Sequence, residues 1–176
     1  MFEPVDRTPM GLVDALCARI NDSLVSYWQE AEQFESGVSE QFHAPHVHAQ
    51  QLPVSLTASQ ERDKSKDYPV VLVMCESGKI ESFSKVDMNA SIKISVYFGG
   101  YYNKPDNQGW RIPAAMLWQV LRDLLSDTIL GGYQLTVPVV WGELNGREPP
   151  YYTAKLETIW KGSPPAIEVP YEGIGG

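Results

Sequence analysis

Between Ala90 and Gly100 the chain alternates without a fault. Ile92, Ile94, Val96 and Phe98 are apolar, and Lys93, Ser95 and Tyr97 stand between them. Successive side chains of a strand point to opposite faces. The segment therefore reads as a strand with one face in a core and one face turned to water. A strand buried on both sides would read as an unbroken apolar run. The chain must cover one side of this sheet and leave the other polar, and the rest of the sequence has to supply the cover.

Two segments have the period to do so. Thr8-Pro9 reads as an N-cap followed by proline at the first helical position. Leu12, Leu16, Ile20 and Leu24 then recur every four residues, with Val13 and Cys17 beside them, as on one face of a helix running to Phe34. Arg19, Asn21, Asp22 and Ser26 fall mostly off that face. Asn21 to Ser23 could interrupt the helix, since such residues cap better than they fill, and Ser36-Gly37 ends it. The second helix is "RIPAAMLWQVLRDLLSDTILGG", with proline in its first turn. Leu117, Leu121 and either Leu124 or Leu125 form its stripe beside Val120, and Gly131-Gly132 is its stop.

Other strand signals flank these helices. "YPVVLVMCESGKIESFSKV" reads as a hairpin turning at Ser77-Gly78. "YQLTVPVVW" and "YYTAKLETIW" read as two strands joined by "GELNGREPP". In the last, Ala154, Leu156, Thr158 and Trp160 alternate with Thr153, Lys155 and Glu157. Gly99-Gly100 reads as a strand stop. Short connections between consecutive strands imply antiparallel pairing. The expected fold class is α+β: a mostly antiparallel sheet of about five strands with two helices packed on it, plus an extended arm. Residues 1–162 read as a single α+β domain, with 38–66 as the arm or loop, and 163–176 as a proline-rich C-terminal tail.

The arm holds all three histidines, His43, His46 and His48, with Pro45 and Pro53. Proline removes an amide donor, so the segment is extended or at an edge rather than in a central strand. In a strand His46 and His48 point the same way and His43 the other. In a helix His43 and His46 would align, but Pro45 opposes that helix. No regular conformation gathers all three, and a transition-metal site needs three or four convergent ligands. The expectation is no metal, no cofactor and no catalytic residue.

Other chemistries have little material. G-x-S-x-G, P-loop and dinucleotide fingerprints are missing. Cys17 and Cys75 sit in apolar patterns and read as reduced, buried thiols. No window approaches a membrane span, and no apolar leader follows a basic start. The net charge of −8 opposes a grip on nucleic acid, yet suits a wall past which DNA slides. Tyr101, Tyr102, Trp110, Trp141, Tyr151, Tyr152 and Trp160 are more aromatic surface than a domain of this size buries easily, which points to an oligomer or partner interface.

The pieces follow in a definite order: a "LVDAL" helix, a long arm, "DYPVVLV", "IKISVYFGGY", "DNQGWRIPAAMLWQVLRDLLSD", "YQLTVPVVW" and "PPYYTAKLETIW". Over residues 8 to 162 this order resembles the small head-to-tail joining proteins of tailed phages. The likeness is in particular to the tail terminator (tail completion, minor tail) family and its prophage relatives. The resemblance implies an α+β structural protein of virion assembly, not an enzyme. Its subunits form a homo-oligomeric ring, often of six, in the virion tail after assembly in the host cytoplasm. Its partners would be itself, tail tube and head connector proteins, with DNA passing through unbound and no membrane. The family has no catalytic residues to carry over, and the histidine-bearing arm matches no position in it. The alternative is a small-ligand or metal-binding module, or an enzyme, built on His46 and His48.

Overall fold

The computed structural model describes residues 7–34, 44–52, 67–84, 88–106, 108–143 and 149–163. The order is α1 (Pro9–Phe34), β1 (His46–Ala49), β2 (Val70–Phe83) and β3 (Met88–Tyr101). A short 3₁₀ turn, Gln108–Trp110, leads into α2 (Arg111–Ser126), followed by β4 (Ile129–Leu130), β5 (Tyr133–Glu143) and β6 (Tyr151–Gly162). The strands form one six-stranded sheet in the order β1-β2-β3-β6-β5-β4. β1 runs parallel to β2, and every other pairing is antiparallel. The α+β class holds, with two helices.

Period and burial agree closely. Thr8 Oγ1 accepts the Gly11 amide at 3.1 Å, which caps α1 one residue before Pro9. Leu12, Leu16, Ile20 and Leu24 are buried and meet Met116, Leu117, Val120 and Leu124 of α2 in one core. Ile92, Ile94, Val96 and Phe98 of β3 supply the sheet side of that core, beside Leu156 and Trp160 of β6. Thr158 is buried among them because it is satisfied twice. Its hydroxyl donates to the Ile94 carbonyl and accepts the Trp160 indole N–H, each at 2.9 Å.

Several local expectations are corrected. α1 is unbroken through Asn21–Ser23; Asn21 and Asp22 face solvent, where they cost the helix little. Ser77-Gly78 is not a turn. β2 runs straight through it, with Ser77 opposite Lys93 and Gly78 opposite Ile92. The irregularity lies one residue earlier, where Glu76 has no partner of its own and forms a bulge. One strand thus replaces the two that the hairpin reading expected, while β1 and the two-residue β4 raise the count to six. Gly99-Gly100 closes β3 to within one residue, the strand ending at Tyr101; both glycines pair with β6, and the start of α2 packs close on Gly100, with Ile112 and Pro113 near.

Gly131-Gly132 does not stop α2. The helix ends at Ser126, and the glycines, with φ of +57° and +81°, form the two-residue turn between β4 and β5. Positive φ at both central positions is what a tight hairpin turn demands. Of the two candidate stripe residues, Leu124 is buried and Leu125 is exposed. The arm's described part, 44–52, contains an edge strand. Its remainder, like Ser36-Gly37 and the tail from residue 164 on, lies outside the described residues.

Candidate functional site: two free sheet edges, a polar face and a histidine pair

Both helices lie on one side of the sheet, so its other side carries the polar set of β3 and β6. Lys93 Nζ lies 3.1 Å from Glu76 and 3.5 Å from Glu157; Lys155 Nζ lies 3.4 Å from Glu76 and 2.6 Å from Glu157. The four charges close a ring of alternating sign. Tyr97 donates its hydroxyl to Glu76 at 3.2 Å and places its ring 5.2 Å below Lys155. The bulge is what brings Glu76 here. Lys93, Lys155 and Glu157 were legible as outward residues of alternating strands, but a turn at Ser77-Gly78 would have taken Glu76 elsewhere.

The ring is saturated rather than reactive. The Ser95 hydroxyl beside it, the two lysines and Tyr97 together hold the Glu76 carboxyl down to about 2, against burial. Lys155 is held protonated, chiefly by its bond to Glu157. Acids held ionised and amines held charged are not poised for proton transfer near neutrality.

The thiols are quiet for a related reason. Burial, with Asp14 adding to it, pushes Cys17 up to about 11, and burial raises Cys75. A nucleophilic cysteine needs the reverse shift.

The sheet leaves two long edges without a strand partner among the described residues. β1 pairs only as far as Val73 of β2, and the Gln50 side chain extends the cover by one amide, accepting the Cys75 N–H at 3.3 Å. From Glu76 to Phe83 the outer edge of β2 is exposed, and it presents Ile80 and Phe83, the latter 73% exposed. On the far side, β4 pairs with Tyr133 and Gln134 of β5, and the Thr128 carbonyl accepts the Leu135 amide at 2.7 Å. Beyond them Val137, 78% exposed, Val140 and Trp141 stand open. Val140 pairs with Glu157 and Trp141 with Leu156, so the apolar surface wraps around this edge from the polar face to the helix face. There Trp141 meets Trp118 of α2, ring centres 4.9 Å apart, both about half exposed. Leu125, two turns along α2, and Tyr27 of α1 extend the surface as a shallow groove.

Of the aromatics singled out in the sequence, Tyr152 and Trp160 are core. Tyr101 and Tyr151 are cross-strand partners that pack with Tyr68 at one end of the sheet, ring centres 5.5 to 6.4 Å apart. Trp110 and Trp141 are exposed, and Tyr102 is tied to Asp106 at 2.9 Å. Trp118 had no assigned role. The available signal was its position, one step off the Leu117–Leu121–Leu124 stripe and seven residues before Leu125.

His46 and His48 do share a face. They sit opposite Val70 and Leu72 in the parallel ladder, and their rings are 6.4 Å apart and tilted by only 22°. Val47 between them packs on the core. His43 lies outside the described residues. Among the described residues no three His, Cys, Asp or Glu side chains converge as a metal site, and no helix is long and apolar enough to cross a membrane. No family model matches the chain, and no curated protein matches it.

Proposed function

We propose that the chain is a structural subunit of a tailed phage or prophage. It assembles head to tail into a ring, as tail terminators do, closing the tail tube and meeting the head connector. One observation carries the reading: among the described residues two unlike sheet edges have no strand partner, one presenting Ile80 and Phe83 among polar residues and the other Val137, Val140 and Trp141. A cyclic assembly needs a heterologous contact, in which one patch of each subunit meets a different patch of the next. The Ile80–Phe83 edge and the Val137–Trp141 edge are such a pair.

Both edges also resist indiscriminate strand addition. β2 is bulged at Glu76 and again between Ile80 and Ser82. β5 loses register between Thr136 and Val140, around Pro138, which has no amide to donate. Contact between copies would therefore run through side chains, which select a partner, rather than through an open-ended ladder. The acidic balance suits a lumen that DNA traverses without holding.

The test is native mass at micromolar concentration for the wild type, Phe83→Lys and Trp141→Lys. The wild type should form one closed oligomer and each variant a monomer. Mixing the variants leaves one intact pair of edges, so heterodimers and nothing larger should appear. A wild type that stays monomeric, alone and with its tube partner, would sink the reading. Assembly unaffected by both substitutions would place the contact elsewhere.

A further inference from the structure

Among the described residues, the histidine pair is a cluster of ligating side chains that neither the fold nor the ring contact uses. We propose that His46 and His48, two ligands rather than the three or four of a closed structural or catalytic centre, form an open two-imidazole clamp for a single divalent transition-metal ion of the zinc, nickel or copper type, its remaining positions filled by water.

The backbone is already fixed for this. β1 is held by its ladder to β2, by the His46 amide donating to the Pro69 carbonyl at 3.0 Å, and by the Gln50 amide donating to the Val73 carbonyl at 2.8 Å. Val47, packed on the core, prevents the strand from rolling. Only side-chain torsions remain free. Two nitrogens at about 2.1 Å from one ion lie about 3.3 Å apart. Nearly parallel rings 6.4 Å apart at their centres reach that spacing by side-chain rotation alone.

The donor set decides the class of ion. Imidazole suits zinc, nickel and copper, whereas magnesium and calcium prefer oxygen. A second ligand on the same rigid strand acts at high effective concentration, which separates a clamp from a single exposed histidine.

The clamp does not depend on the ring, since both ligands come from one chain; a monomer would bind equally. The experiment is calorimetric titration of the full chain at pH 7.5 with zinc, nickel and magnesium chlorides. It covers the wild type, His46→Ala, His48→Ala and His43→Ala, with a thermal melt of each variant. The wild type should take one zinc or nickel per chain and no magnesium. His46→Ala and His48→Ala should each weaken binding by about tenfold or more, while His43→Ala leaves it unchanged. Ring ¹H–¹⁵N spectra should show both imidazoles shifting together on zinc addition. Equal affinity in all variants, an equal loss in His43→Ala, or a shift confined to one imidazole would overturn the clamp.

Discussion

Glu76 is the residue on which the polar face turns. As the unpaired residue of a bulge it projects towards Lys93 and Lys155, and its ionised form is favoured there. Its carboxyl is held at about 2 rather than the ordinary 4.5. A folded-state value below the unfolded one means stability that is present above the unfolded value. That stability is lost as pH falls from about 4.5 towards 2. The group is largely solvated, so the effect is modest and weakens with salt. Glu76→Gln should melt slightly below wild type at pH 6, with the gap closing as both are taken to pH 2. A gap that is the same at both values would show that the ring of charges contributes nothing through Glu76.

At the level of elements, Arg19 joins the two helices. Its guanidinium meets the Asp123 carboxylate at 2.7 Å, the Asp123 carbonyl at 2.6 Å and the Asp127 carbonyl at 2.7 Å. The last carbonyls of a helix have no partner within it, and a cation there is attracted by the negative end of the helix dipole. One α1 side chain thus joins the Ser126 hydroxyl and the Asp127 amide in satisfying the end of α2. The period alone placed Arg19 off the apolar face, and no spacing rule pairs residues 104 positions apart. Arg19→Met keeps the apolar stem and removes the donors. It should cost about 1–3 kcal/mol in urea unfolding and speed amide exchange at the end of α2. An unchanged midpoint with unchanged exchange would mean that the contact only decorates the helix end.

For the whole molecule, a net charge of −8 acts against association while the exposed Ile80, Phe83, Val137, Val140 and Trp141 act for it. Screening shortens the reach of like-charge repulsion to a few ångströms at high ionic strength and leaves apolar contact intact or stronger. The oligomeric fraction at fixed protein concentration should therefore rise as sodium chloride goes from about 50 mM to about 500 mM. Analytical ultracentrifugation reads this directly. Dissociation with rising salt would instead assign the contact to ion pairs and move it away from Phe83 and Trp141.

Periodicity decided whatever depends on one face against another. The four-residue spacing of Leu12 to Leu24 and the two-residue spacing of Ile92 to Phe98 give the layers, because burial of one stripe is a local property of helix and strand geometry. The same logic correctly turned Lys93, Lys155 and Glu157 outward and placed His46 with His48. Turns were less legible. Ser77-Gly78 and Gly131-Gly132 have the same composition signal, yet one is strand and the other hairpin, because pairing with β3 in the first case and β4–β5 closure in the second outweigh local preference. Folding across the chain alone decided that β1 joins β2 in parallel, that a bulge delivers Glu76, and that β4 stops short and leaves Trp141 bare beside Trp118. Those outcomes rest on contacts between residues far apart in the chain, and their energies have no trace in any short window of sequence.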